Sequence, residues 1–272
     1  MPLISLSYGD LALAALLLLV NGGVSLALSL GLARPLAIAA VRMVVQLSLV
    51  ALVLKQLFAL QSPWLTLGAA LAMGLFAGQE IMARQDRRLS GGWTYGLGTG
   101  SMVVAATLVM LLGLLAAVRP DPWYDARYAI PMLGMVLGNV MSGVSLALNA
   151  LTTAVVRDRA AIEARLALGA TRWEALGTVH RHALRMGMMP IVNAMSATGL
   201  VSIPGMMTGQ ILGGVDPHEA VKYQILIMFL LAGASGVGVL LATTGAVYRL
   251  TDPRHRLRGE RLTVRGAADG SR

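Results

Sequence analysis

Between residues 11 and 248 the chain repeatedly runs for about 20 residues with hardly a charge, the length that one helical bilayer crossing needs. No other feature restricts the fold as much. Lipid offers no partners to backbone N–H and C=O groups, so such runs must satisfy them within each segment, as helices. With 56% of 272 residues hydrophobic and 13% charged, an all-α, polytopic transmembrane bundle of about seven spans is expected. The spans fall at residues 11–32, 35–58, 62–82, 94–118, 128–155, 186–214 and 223–248. Asp10 is placed to cap the first, and Pro35 and Pro63 suit the first turns of the next two. Asp216-Pro217-His218-Glu219 reads as a capping box that starts the last.

Lys and Arg outnumber Asp and Glu by 22 to 13, a net charge of +9. In a soluble chain this would suggest nucleic acid, but here the basic residues sit between apolar runs, where they set topology and meet anionic lipid. Arg34, Arg84, Arg87, Arg88, the arginines of residues 156–185 and those of residues 249–272 fall on one side, against Lys55, Arg119, Arg127 and Lys222 on the other. This predicts an external amino terminus and a cytoplasmic carboxyl terminus in a multi-pass membrane protein. Residues 1–248 then form the membrane domain, and residues 249–272 a basic, mobile tail. Residues 1–10 contain no Lys or Arg, unlike a cleaved signal peptide, so the first span is expected to stay. Cysteine is absent and His180 and His182 would point apart on a helix, so no metal site is predicted.

Residues 156–185 are too charged for lipid, with Arg157, Arg159, Arg165, Arg172, Arg181 and Arg185 among them. Ile162, Leu166, Leu168, Trp173, Leu176 and Val179 form an apolar stripe at helical spacing. Gly169 interrupts it, which predicts two short helices meeting at a turn. Glu163-Ala-Arg165 with Gly169 six positions after the glutamate resembles the loop by which bacterial ABC-transporter permeases dock onto their ATPases, with Arg165 where that pattern has a second alanine. The coupling residues are then Glu163, Arg165, Leu168, Gly169, Ala170 and Thr171, within residues 155–185. An amphipathic helix lying on anionic headgroups would carry the same stripe.

The basic stretch leads directly into the interrupted span, a handle joined to a gate. Pro204 lacks an amide hydrogen and is expected to displace the carbonyl of Leu200, with Gly205 adding freedom. Such breaks form substrate sites in many transporters, and a kink that serves only packing is the other reading. Ser202, Met206, Met207 and Gln210 surround this one. Arg42 and Gln46 lie one turn apart inside the second span, with Glu80 within reach as a partner for the arginine. Asn139 needs a partner away from lipid, and Gly134 and Gly138 have the spacing of a close helix approach. The substrate path is therefore expected to involve Arg42, Gln46, Glu80, Asn139, Ser202, Pro204, Gly205, Met206, Met207 and Gln210, with Arg42, Gln46, Asn139 and Gln210 lining one cavity. A positively charged Arg42 would suit an anionic or chelated cargo better than a bare cation.

The only lysines, Lys55 and Lys222, do not follow glycine, so a Gly-Lys-Ser/Thr phosphate loop is absent. No catalytic constellation appears in the spans, and any ATP-Mg would be bound by a separate ATPase subunit. Val41-Arg42 with Gln46-Leu47, Ile130-Pro131 with Gly134-Met135 and Gly138-Asn139, Leu168-Gly169-Ala170-Thr171, the run from Gly199 through Pro204-Gly205-Met206-Met207, and Asp216-Pro217 through Lys222-Tyr223-Gln224-Ile225 resemble the FetB family of iron-export permeases. That resemblance implies an ABC-type permease working as a pair of identical subunits with two separate ATPases. It implies export of iron or another metal species. Plant relatives are linked to aluminium tolerance, with a nucleotide sugar as proposed cargo, so a nucleotide sugar or other anionic metabolite stays open, as does an ATP-independent carrier.

Overall fold

A computed structural model describes residues 7–60 and 62–264. The fold is a helical bundle: α1 (Tyr8–Ala27), α2 (Ala33–Leu60), α3 (Pro63–Ala83), β1 (Arg87–Leu89), α4 (Trp93–Leu111, continued as a π-helix over Leu112–Val118), α5 (Ala126–Arg157), α6 (Arg159–Ala167), α7 (Arg172–Ala197), α8 (Gly205–Leu212), α9 (Pro217–Leu250) and β2 (Leu262–Val264). Six of these segments, α1 to α5 and α9, are long and apolar enough to cross a membrane among the described residues. The remaining expected span is divided between the end of α7 and α8.

Helix starts follow local chemistry. Ser7, not Asp10, is the cap of α1: its Oγ accepts from the Asp10 amide while Asp10 Oδ2 accepts from the Ser7 amide at 2.8 Å. Asp216 caps α9 by accepting from the His218 amide at 2.8 Å, with Pro217 in the first turn. The reciprocal half of the expected box is missing, because Glu219 pairs with Lys222 instead.

Helices α4, α5, α7 and α9 enclose a core built on residues such as Met102, Val140, Val144, Leu176, Val239 and Val247. A close backbone crossing joins α5 to α7 at Gly143 and Gly187, where a Cβ on either would lie within 2.9 Å of the other's carbonyl oxygen. The close approach expected at Gly134 and Gly138 is found at the first alone: a Cβ on Gly134 would meet the tip of Met73 in α3 at 3.4 Å, and one on Gly138 would meet nothing within 4 Å. Spacing alone could not say which glycines face a neighbour. Helix α3 is stitched to α5 through the fully buried Gln85, whose Nε2 donates to the Ser145 carbonyl at 3.0 Å. The α1–α2 hairpin stands apart, with Leu57 the one buried residue of α2. Its links to the bundle include the cluster of Leu57 with Ala126 and Ile130 and the Arg42–Glu80 ion pair.

Two further expectations change. The handle is not a pair of short helices: α6 has 9 residues, but α7 runs 26 residues from the turn into the apolar stretch. The tail is not free over residues 251–264, because β2 pairs antiparallel with β1 and Thr251 and Asp252 are buried. Composition made the tail look mobile, but Asp252 binds Arg256 and Arg258 and the strand pairing holds residues 262–264; its remaining residues, 265–272, lie outside those described.

Candidate functional site: a coupling turn and a cavity joined by one helix

At one end of the bundle, α5 passes into α6 through Asp158, whose carboxyl is held below its ordinary range by the Arg157 guanidinium. Ile162 anchors α6 in the core and Arg159 pairs with Glu163 at 2.8 Å. The chain then turns: the Ala170 amide donates to the Arg165 carbonyl, and Gly169 adopts φ +92°, a region that favours glycine. Thr171 caps α7 in a reciprocal box with Glu174, and the Thr171 backbone amide lowers the Glu174 carboxyl below its usual value. The result is a rigid turn with Leu168 at its tip, 89% exposed, and Arg165 exposed beside it.

The base of α7 is bound to the end of α9. The Trp173 ring meets Tyr248 edge-on at 5.4 Å, and a His180 ring nitrogen lies 3.1 Å from Thr243 Oγ1. Burial pushes the His180 imidazole below its ordinary value, with Arg181 adding to the shift. From the tail, the buried Asp252 accepts from the backbone amides of Arg256 and Arg254 and from the guanidinium groups of Arg256 and Arg258. Those contacts, the Arg256 amide first, hold its carboxyl at about 2. Its carbonyl in turn accepts from Arg172 Nη2 at 3.0 Å, while His255 Nδ1 accepts from the Arg172 amide. The contacts of Arg172 with Asp252 and His255 were not foreseen, because they need residues about 80 positions apart to meet.

Helix α7 ends at Ala197. Gly199 takes φ +95° and its amide bonds the Ser202 carbonyl, whose own amide returns to Ala197. Pro204 then caps α8 and Gly205 is its first residue. The proline therefore starts a helix rather than kinking one, and Leu200, whose carbonyl it was expected to displace, is already outside helical structure. Leu200 and Val201 are 96% and 85% exposed on this break.

Beyond the break, α8 packs on α9 and closes a cavity of about 420 Å³ against α5. Among its walls are Met132 and Met135 of α5, Met206 and Gln210 of α8, and Tyr128 and Tyr223. Gln210 Oε1 is buried with no hydrogen-bond donor among the described residues. Of the expected substrate-path residues, Met206 and Gln210 reach this cavity, while Ser202, Pro204 and Gly205 form the break leading to it and Met207 is half-buried outside the lining. Asn139 donates to the Met135 carbonyl of its own helix at 2.9 Å. Arg42 and Gln46 line a shallow groove on α2 instead, and Arg42 is paired with Glu80 at 2.9 Å. The expected cavity of Arg42, Gln46, Asn139 and Gln210 is thus not formed within one chain, because α2 packs outside the bundle. The methionines of α5 were missed because a thioether at helical spacing reads as ordinary core. No group of three His, Asp or Glu that could hold a metal occurs among the described residues.

Comparison with known proteins fits a chain of this architecture. The Uncharacterised protein family (UPF0014) matches residues 8–251. A membrane protein of that family from Synechocystis is 36% identical over 219 residues, 79% of this chain and 82% of the relative. The "Probable iron export permease protein FetB" of Escherichia coli is 30% identical over 248 residues, 91% and 93% of the two chains. "Protein ALUMINUM SENSITIVE 3" of Arabidopsis thaliana is 33% identical over 203 residues, 74% and 72%. No solved structure matches. With apolar helices spanning most of its length and the family matched over 8–251, this chain is a multi-pass membrane protein and belongs to the Uncharacterised protein family (UPF0014).

Proposed function

We propose that the chain is the membrane-spanning subunit of an ATP-driven exporter that moves iron or another metal species out of the cytoplasm, with ATP-Mg hydrolysed by a separate subunit docked on Leu168 and its turn. The observation that carries this reading is the continuity of α7. One 26-residue helix, about 39 Å at 1.5 Å per residue, joins the exposed coupling turn to the break before α8. A force applied at the turn is carried to the break along one unbroken helix, with the interior Pro190 as its one weakened point, and α8, forming one wall of the cavity, moves with it. The Arg-rich end then faces the cytoplasm, in line with the excess of basic residues there.

The break lies about 18 Å beyond Arg185, counted along α7 to Ala197, so with Arg185 at the cytoplasmic boundary its non-helical backbone would lie at membrane depth. Such backbone is tolerated only where protein or water covers it. A second copy of the chain, covering Leu200 and Val201 and the open faces of α1 and α2, supplies that cover. The three thioethers and the free Gln210 oxygen suit a borderline or soft cation. Since Glu80 neutralises Arg42, the arginine no longer argues against a cation. Arg127 with Tyr128 and Tyr223 in the same cavity favours the alternative, a nucleotide sugar or other anionic cargo.

Leu168→Asp tests the docking. The side chain is 89% exposed, so the fold should survive while the ATPase no longer co-purifies. Full retention of the ATPase, or transport by the permease alone, refutes the proposal. ATPase stimulation of the reconstituted complex by ferrous ion, iron chelates or nucleotide sugars decides the cargo.

A further inference from the structure

A second cavity, of about 570 Å³, opens where α4 begins and α9 ends, at the same end as the coupling turn. Its floor is Leu97 packed against Gly245, where a Cβ would come within 2.5 Å of the leucine. Three guanidinium groups converge on it, from Arg172, Arg249 and Arg261. None forms an ion pair with a carboxylate among the described residues. Arg172 uses neutral acceptors, His255 Nδ1 and the Asp252 carbonyl, and Arg261 Nη1 donates to the Arg249 carbonyl at 2.7 Å. Arg249 donates no side-chain hydrogen bond among the described residues, its Nε is buried, and its guanidinium carbon lies 4.8 Å from the centre of the Trp93 ring. The one acid in the lining, Asp252, is committed to Arg256 and Arg258.

Three uncompensated cations around one opening leave a strong local positive potential, and a folded chain does not hold them together without cost unless an anion joins them. The position selects the anion. Trp93 and Tyr248, 46% and 53% exposed, sit at the ends of two apolar spanning helices, as aromatic residues do at headgroup level. The cavity is therefore basic at its rim, apolar at its floor and open at the depth of lipid phosphates. We propose that it binds the phosphate of an anionic phospholipid such as phosphatidylglycerol, with Arg249 and Arg261 as its principal donors and an acyl chain against Leu97. Arg172 begins α7 beside the coupling turn, so the bound lipid is a further brace of that helix against α9 and the tail.

The test uses the full-length purified chain in detergent, titrated with phosphatidylglycerol or phosphatidylcholine and read by native mass spectrometry. Phosphatidylglycerol is expected to be retained selectively. Arg249→Gln, which removes no protein hydrogen bond but does remove the contact with the Trp93 ring, should weaken its binding about ten-fold, the worth of one charge-assisted contact, while the chain still folds. Arg119→Gln, with the same charge loss at the opposite end, should leave binding unaltered. Brominated phosphatidylglycerol should quench the wild type more than Trp93→Phe. Equal retention of both lipids, or equal loss in Arg249→Gln and Arg119→Gln, overturns the site. Displacement of the lipid by millimolar inorganic phosphate overturns the lipid as its source.

Discussion

Substituting alanine at two glycines, Gly187 and Gly138, should move stability in opposite directions. At Gly187 a new Cβ would lie 2.7 Å from Ala147 Cβ, 2.8 Å from Val239 Cγ1 and 2.9 Å from the Gly143 carbonyl oxygen. Carbon atoms rest at about 3.5–4.0 Å, so α5 and α7 must separate by roughly 0.7 Å or more, and neither the alanine Cβ nor the carbonyl can rotate aside. Overpacking of this kind costs about 1–3 kcal/mol, and the two rigid neighbours put Gly187→Ala toward the upper end. Replacing a helical glycine returns about 0.5–1 kcal/mol, leaving a net loss of about 1–2 kcal/mol. At Gly138 nothing lies within 4 Å, so only the gain of about 0.5–1 kcal/mol applies. The two variants should therefore differ by about 2–3 kcal/mol, read as unfolding midpoints in mixed detergent micelles titrated with dodecyl sulfate. Because the crossing is the point about which α7 would swing, Gly187→Ala should also slow transport. Equal midpoints, or a stabilised Gly187→Ala, would refute the assigned crossing.

Glu80→Gln leaves Arg42 without its carboxylate and should cost about 1 kcal/mol, the upper range for a partly exposed pair, with recovery when the two charges are exchanged between the positions. Asp252 gives the tail a pH response. Its folded value near 2 lies below its ordinary value, so its contribution to docking is complete above the ordinary carboxylate value and is lost as pH falls from there through about 2. Hydrogen exchange over residues 251–264 should accelerate across that window, and Asp252→Asn should show the faster exchange already at neutral pH. Unchanged protection in that variant would remove Asp252 as the anchor.

Local chemistry made much of the chain legible before its fold was known. Apolar runs marked the helices because lipid satisfies no backbone group, and the Gly169 turn and the break near Pro204 follow from residues that only certain backbone conformations accept. The Arg42–Glu80 pair was within reach of such reasoning, since an arginine inside a span needs a partner and few acids are nearby. The cavity was half legible: Met206 and Gln210 flank the break in sequence, but Met132 and Met135 join them only through the packing of α5 against α8 and α9.

What sequence alone determined is the class of object, a membrane bundle with a basic end, a turn and an interrupted span, because those depend on interactions over a few residues. Only tertiary structure decided which glycines touch, that the tail is docked, that α2 stands outside the bundle and that three arginines share one opening. Those outcomes depend on which faces of distant helices meet, and a helix repeats its faces every few residues without naming its neighbour.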